Sequence, residues 1–509
     1  MPRLYLTAIL SIISGALLAQ NSWSNNIAQL VYDNCSNCHN PNGIAPFSLL
    51  DYSAAKNRSA SIRTAVALRN MPPWIADTDY QSYSHARVLS ESEIKAITDW
   101  VDAGAPEGDA AKTPPPPVYA TKGYITKTPD LELKMPVYSS KATNAADDYI
   151  CFSVPSGLTV DKKIKAFEVI PGNHNIVHHT LVYIDETGTY KTDTTGAVCT
   201  GPTRGLIGGY VPGSPPTIFP GNGQDFNLGF EIKAGSNIVL AMHYPEGSFG
   251  MLDSTKVRFW FYDDQVSIRE LETKSLIENW SFALPPNQIT PVSATKKMSG
   301  SDYSMLSVFP HMHLLGNTIR SYAITPNADT LKFVNINHWD FEWQEFLFFD
   351  KIIKLPEGSV IRGEGDYDNS SNNHHNPNNP PILVRPGLNT SDEMFLIYFH
   401  YLPYVSGDEN IDVNALRSLS SESLGWKSSP LLVFPNPAND VVHFKFPNTT
   451  SSQVLIHIYD VLGNKVGEMT SRDHQTDISW TIPDQVVPGV YFYSMNCNGT
   501  FATGSFMIK

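Results

Sequence analysis

Residues 236–242, Ser-Asn-Ile-Val-Leu-Ala-Met, form a short apolar run that opens after Gly235 and is closed off by Pro245. Leu181-Val-Tyr-Ile184 before it and Met394-Phe-Leu-Ile-Tyr-Phe399 after it have the same character. From about residue 128 to 405 such runs recur, bounded by Gly, Pro and Asn, which is the pattern of β-sandwiches. Composition agrees. A 41% hydrophobic content with 23 Tyr, 24 Phe and 9 Trp is enough to build cores, while 37 Pro and 33 Gly call for many turns. The 509 residues correspond to three or four domains, and the expected fold class is mainly β. Lys+Arg 36 against Asp+Glu 50 leaves −14, which argues against nucleic acid and anionic membrane surfaces, since both select clustered positive charge.

Outward toward the N-terminus, Arg3 precedes an apolar run from Leu4 to Leu18 that ends in small or polar residues at Ala16, Ala19 and Gln20. Residues 1–20 therefore read as a secretory signal peptide. An uncleaved anchor is the alternative, but no positive stop-transfer flank follows, and no later stretch has transmembrane length without charge. Export would permit disulfides and covalent haem.

Cys35-Ser-Asn-Cys38-His39 spaces two thiols for attachment to haem vinyl groups, with an imidazole beside them as an axial iron ligand. A zinc site would need two more ligands, and the segment offers only His85. Met71, in Asn70-Met71-Pro72-Pro73-Trp74, is the expected sixth iron ligand, because a turn with two prolines presents a side chain better than it fills a helix. Ser90 to Gly104 reads as a helix with a serine cap, early acids and a terminal glycine. Residues 25–110 together resemble a small, helical c-type cytochrome domain, which implies one covalently bound haem c and electron transfer, with an external electron donor. Thr113-Pro-Pro-Pro-Pro117 lies in a stiff linker over 111–127.

The middle region carries two sets of potential metal ligands. His178-His179 is followed by His243, and His311-Met312-His313 by Met394. On a strand, residues i and i+2 share a face, so His311 and His313 can grip one ion. Adjacent residues point to opposite faces, so His178 and His179 can share a metal only at a strand end or a bulge. Two imidazoles with a thioether favour copper. Four stretches, Val177-His-His-Thr-Leu181, Ala241-Met-His-Tyr244, Pro310-His-Met-His-Leu-Leu-Gly316 and Thr390-Ser-Asp-Glu-Met394 running to Tyr398, resemble the copper type II, ascorbate-dependent monooxygenases. This is the family of peptidylglycine α-hydroxylating and dopamine β-monooxygenase.

The resemblance implies two jelly-roll-like sandwiches, over 128–270 and 271–408, and two copper ions. One would be an electron-storing copper on His178, His179 and His243. The other would activate O2 on His311, His313 and Met394. It further implies hydroxylation of an activated C–H bond of a small molecule, with Tyr398 in the catalytic set. Peptide-amidating members hold a substrate carboxylate with an arginine two residues before the His-x-His pair and with an asparagine and a tyrosine two and four residues after the methionine, the last of which is Tyr398 here. Phe309 and Leu396 stand at the first two positions, so a carboxylate clamp is missing; the two read either as an apolar substrate face or as strand core. Export would allow Cys151 and Cys199 to pair, with Cys497 left over. His174, His374, His375 and His400 stay outside the ligand set.

After a polar linker over 409–428, residues 429–509 show short strands with turn signals: Val433-Phe-Pro-Asn-Pro-Ala438, Val454 to Asn464, Pro488 to Tyr493 and Gly504 to Lys509. They resemble the C-terminal sorting domain of the type IX secretion system, implying that machinery as partner and a secreted or cell-surface destination. The leading expectation is an exported copper monooxygenase fed by the fused haem. A non-catalytic surface electron-transfer or copper-binding protein is the alternative, and a haem peroxidase or dehydrogenase with a structural β partner is the third.

Overall fold

The computed structural model describes residues 21–41, 43, 45–84, 86–117, 123–125, 127–143, 146–195, 199, 201–202, 205–423, 432–434, 438–445, 454–460, 465–471, 477–483, 485–497 and 500–509. Residues 1–20, expected to be a signal peptide, and His85 lie outside the described residues, as does the side chain of Cys497. None of the described helices is long and apolar enough to cross a membrane.

The chain divides into two compact units. One comprises residues up to Ser36, Ser48–Pro72 and Leu89–Pro117. Its helices are Ala28–Asn34, Tyr52–Asn57, Ser59–Ala67 and Glu91–Asp102. The last is where the sequence places it: the Ser90 side chain accepts from the Glu93 N–H and Glu93 reaches back, a capping box, and Gly104 leaves the helix at φ +87°. An aromatic cluster forms the core, with Trp23 5.9 Å from Tyr32 and 6.2 Å from Trp100. Residues 25–110 are not one body, however. Asn37–Phe47 and Pro73–Val88 group with the second unit, which also holds Val118–Lys509.

Among its described residues that second unit is mostly antiparallel β, with the helix Val413–Ser423 and a few short parallel pairings such as Arg269–Glu270 beside Leu228–Ile232. In its first sandwich, Asp148–Pro155, Asn237–Tyr244, His179–Asp185 and Leu206–Tyr210 form a sheet in that order. It faces a second sheet that includes Lys162–Ile170 and Lys256–Phe261, with Ile150, Phe152, Phe167, Val182 and Leu240 in the shared core. The next sandwich has the eight strands of a jelly roll. Glu272–Asn279, Phe395–Pro403, Tyr303–His311 and Leu347–Leu355 form one sheet, and Ile289–Lys297, Val360–Asp368, Gly316–Ile324 and Thr330–Ile336 the other.

Phe395–Pro403 is buried along nearly its whole length, because it packs on both sides. Phe395, Ile397, Phe399 and Tyr401 enter the core of their own sandwich. With the period of two, the alternate residues face the first sandwich: Leu402 joins that core and Tyr398 packs with Tyr183, Leu206 and Val239. The partner strand follows suit, pairing Ser307 with His400, Phe309 with Tyr398 and His311 with Leu396. In the first sandwich Cys151 and Cys199 form a disulfide across 48 residues.

Candidate metal centres and their cleft

His179 is the first residue of its strand, and His178 stands immediately before it. At this strand end the alternation rule no longer separates the two side chains. His179 pairs with His243 on the neighbouring strand, and the His178 N–H donates to the His243 carbonyl at 3.1 Å. The three Nδ1 atoms come together, 3.2 Å between His178 and His179, 3.1 Å between His178 and His243, and 3.3 Å between His179 and His243. The centre of a triangle with ~3.2 Å sides lies about 1.9 Å from each corner (3.2/√3), close to the 2.0–2.1 Å of a metal–imidazole bond. Burial pushes His178 down to about 3, with His243 adding to the effect, and holds His179 well below the usual histidine range. Neutral imidazoles are what a metal requires. His243 Nε2 lies 3.2 Å from an Asp147 carboxylate oxygen. Burial raises Asp147, but its bonds and charge interaction with His243, the Thr390 hydroxyl and the Glu246 N–H bring it to about 2. It is therefore a carboxylate that orients the ring so that Nδ1 faces inward.

The second group is oriented the opposite way round. His311 Nδ1 meets the Gln344 side-chain oxygen, and His313 Nδ1 lies 3.1 Å from the Asp392 carbonyl. The Gln344 NH2 donates to the Phe341 carbonyl at 2.6 Å, which fixes the amide so that its oxygen faces His311. Both Nδ1 atoms are thus used as donors, and Nε2 is left on each ring for a metal. Burial lowers His311 to about 4 and His313 to about 3. Glu393 joins the pieces: its buried carboxyl accepts from the His313, Leu315 and Met394 N–H groups at 2.9, 2.6 and 3.2 Å. Met394 is fixed again where its carbonyl accepts from Tyr367.

His311, His313 and Met394 open onto a cavity of about 340 Å³, which Phe309, Leu396 and Tyr398 also line. His179 lines the same cavity. Phe309 and Leu396 therefore belong to the cleft face and not to the interior of their own sandwich. Burial raises the Tyr398 phenol to about 12, so it stays protonated.

His174, His374 and His375 are exposed. His400 is buried, with Nδ1 2.8 Å from the Ser307 hydroxyl and its ring stacked on Phe346 at 4.0 Å. Gln344, Phe341, Glu393, Asp147 and Thr390 were missed by sequence reasoning. Glu393 has a local signal, being next to Met394; the rest come from loops and strand ends with no spacing rule.

In the Cys35-Ser-Asn-Cys38-His39 motif, His39 Nδ1 lies 3.1 Å from the Phe47 carbonyl. Cys38 is a free thiol, which burial raises and Arg87 lowers, for a net rise. Met71 is 42% exposed.

The fold is mainly β, and one comparison supports a copper monooxygenase-like protein. Residues 281–423 match the family model of the copper type II ascorbate-dependent monooxygenase C-terminal domain. That range contains His311, His313 and Met394; the three-histidine group lies outside it. Residues 432–509 match the secretion system C-terminal sorting domain, the type IX tail, which directs the chain to the cell surface or to release. No curated relative matches. Among solved structures, a biofilm-associated protein BSP domain is 11% identical over 78% of this chain and 84% of its own, with a TM-score of 0.15. A β-glucuronidase of Parabacteroides merdae is 10% identical over 43% and 28%, with a TM-score of 0.12. Likenesses at that level carry no weight here.

Proposed function

We propose that this chain is an exported monooxygenase that inserts one oxygen atom of O2 into an activated C–H bond of a small apolar or aromatic molecule. The observation that carries this reading is the convergence of His311, His313 and Met394 on a cavity that His179, a member of the three-histidine group, also lines. Copper bound at the two groups would supply electrons and O2 activation, so that RH + O2 + 2 e⁻ + 2 H⁺ gives ROH + H2O. His178, His179 and His243 would hold one ion through Nδ1, and His311 and His313 with Met394 the other through Nε2. The soft thioether biases the second toward Cu(I).

The remaining residues act on the substrate. Phe309 and Leu396 give an apolar wall and exclude water, and the protonated Tyr398 offers a hydrogen bond at one point on it. A volume of this size suits a small ligand with few polar anchors. The missing carboxylate clamp speaks against a peptidylglycine substrate.

Electrons would enter through haem c on Cys35 and Cys38, with His39 and Met71 as axial ligands. The motif, the hydrogen-bonded Nδ1 of His39 and the Cys38 thiol support this part of the reading. The boundaries 25–110, 128–270, 271–408 and 429–509 belong to the same proposal, with the second unit's grouping of Asn37–Phe47 as the departure from a separate cytochrome domain.

The test is O2 uptake by copper-loaded protein against a panel of C–H substrates. Uptake stoichiometric with hydroxylated product supports the reading. A Met394→Ala protein as fast as wild type would overturn it and leave the copper-handling alternative. For the haem branch, stoichiometrically reduced haem mixed anaerobically with Cu(II)-loaded protein should reoxidise in step with Cu(I) formation.

A further inference from the structure

Phe341 touches both histidine groups. Its ring is near-parallel to His178, with centroids 5.2 Å apart and planes at 22°. It also lies 6.3 Å from His243 and 6.0 Å from His313. A second connection runs elsewhere around the cleft. Tyr149 stacks on His243 at 4.3 Å and 5°, and its hydroxyl is hydrogen-bonded to Thr390. The Thr390 hydroxyl also bonds Asp147, the carboxylate beside His243. Asp147 accepts only, so the single Thr390 proton goes to it and Tyr149 donates to Thr390. Thr390 stands two residues before Asp392, whose carbonyl holds His313, and four before Met394.

We propose that Thr390 and Phe341 are positioning residues that clasp the two histidine groups into one closed pair, so that two metals bound there would be held at a fixed separation. The clasp rests on the two-copper reading given above. Its chemical logic is that each contact joins the ligand cage of one sandwich to the ligand-bearing loop of the other. Tyr149 and Asp147 belong to the three-histidine side, and Thr390 to the loop that ends in Met394. Phe341 shares its loop with Gln344, the orienting partner of His311. Opening the cleft would therefore cost a hydrogen-bonded chain and a ring stack together, and would disturb the rings that bind metal.

The experiment loads the full chain with Cu(II), counts copper per chain, and records pulsed EPR. Wild type should bind two coppers and show dipolar splitting between them. Thr390→Val and Phe341→Ala should bind two coppers with that splitting weakened or lost, and Thr390→Ser, which keeps the hydroxyl, should retain it. In the metal-free proteins, hydrogen exchange at residues 387–394 should be several-fold faster in Thr390→Val than in wild type or Thr390→Ser. A wild-type chain with two coppers and no splitting overturns the clasp alone, as does unchanged splitting in both variants. A chain that takes up a single copper overturns the two-copper reading and the clasp with it.

Discussion

Gln344 presents its side-chain oxygen to Nδ1 of His311 across 33 residues of sequence, and its own amide is tied to the Phe341 carbonyl. One loop residue thereby fixes the tautomer of a ring that sequence spacing alone could only place on a strand. Glu345, next in sequence, is paired with Arg87, so the same loop is anchored from the segment Pro73–Val88. The orientation of His311 is set by packing remote from its own strand.

Replacing Gln344 with leucine removes the acceptor and keeps most of the volume. His311 can then rotate or change tautomer, and partners of this kind are worth about 10- to 100-fold in metal affinity. Competition titration with a Cu(I) chelator should show that loss at one of two sites while circular dichroism stays native. Equal affinity at both sites in variant and wild type would rule out the orienting role.

A pH effect is expected from Glu168, in the strand Lys162–Ile170 and paired across strands with Arg258. Burial raises its carboxyl from 4.5 to about 7, against the Tyr124 and Ile125 N–H groups and Arg258, which lower it. The folded chain thus binds a proton that the unfolded chain has released between those values. Stability from this group is complete below pH ~4.5 and is lost as pH rises through ~7, by at most roughly 3 kcal/mol for a shift of about 2.5 units. Glu168→Gln should remove that slope, so its stability relative to wild type rises from pH 5 to pH 8 in urea titrations. Parallel curves for the two proteins would count against it.

The Cys151–Cys199 disulfide closes a loop of 48 residues, for which the loss of unfolded-chain entropy is worth roughly 4 kcal/mol as an upper figure. Cys199→Ser should lower unfolding stability by about 2–4 kcal/mol. Reductant should lower wild type toward the variant and leave the variant where it is; a variant as stable as oxidised wild type would contradict this.

Much of the fold was legible because local pattern and tertiary role agree. The apolar run Met394–Phe399 marks a strand, which begins at Phe395, and the pair His178-His179 demanded a strand end, which is where it stands; the shared strand face expected of His311 and His313 is not what forms, because the strand closes at His311 and His313 lies in the loop just beyond it. The capped helix after Ser90 is the same kind of success. What stayed hidden depends on contacts between residues far apart in the chain. That Phe309 and Leu396 face a cleft follows from a second sandwich covering the sheet, which alternation cannot reveal. Glu393, Thr390 and Phe341 act through backbone groups and rings on other elements. The grouping of Asn37–Phe47 and Pro73–Val88 with the β-rich unit has no compositional mark: Tyr83 donates to the Phe333 carbonyl at 2.9 Å, 250 residues away.

Tyr398 separates a catalytic cleft from a merely packed one. Its ring lies 5.9 Å from Phe309 on the same sheet face, and its hydroxyl, raised to about 12 by burial, is a donor at any working pH. Tyr398→Phe keeps the ring and its packing against Tyr183 and Leu206, so stability and copper content should be unchanged. If the hydroxyl touches substrate, a lost neutral hydrogen bond of about 0.5–1.5 kcal/mol lowers kcat/KM roughly 2- to 10-fold. The loss should fall on substrates with a polar group and spare wholly apolar ones of the same shape. Uniform rates across both classes would assign Tyr398 to packing, and would leave Phe309 and Leu396 to select substrate by shape alone.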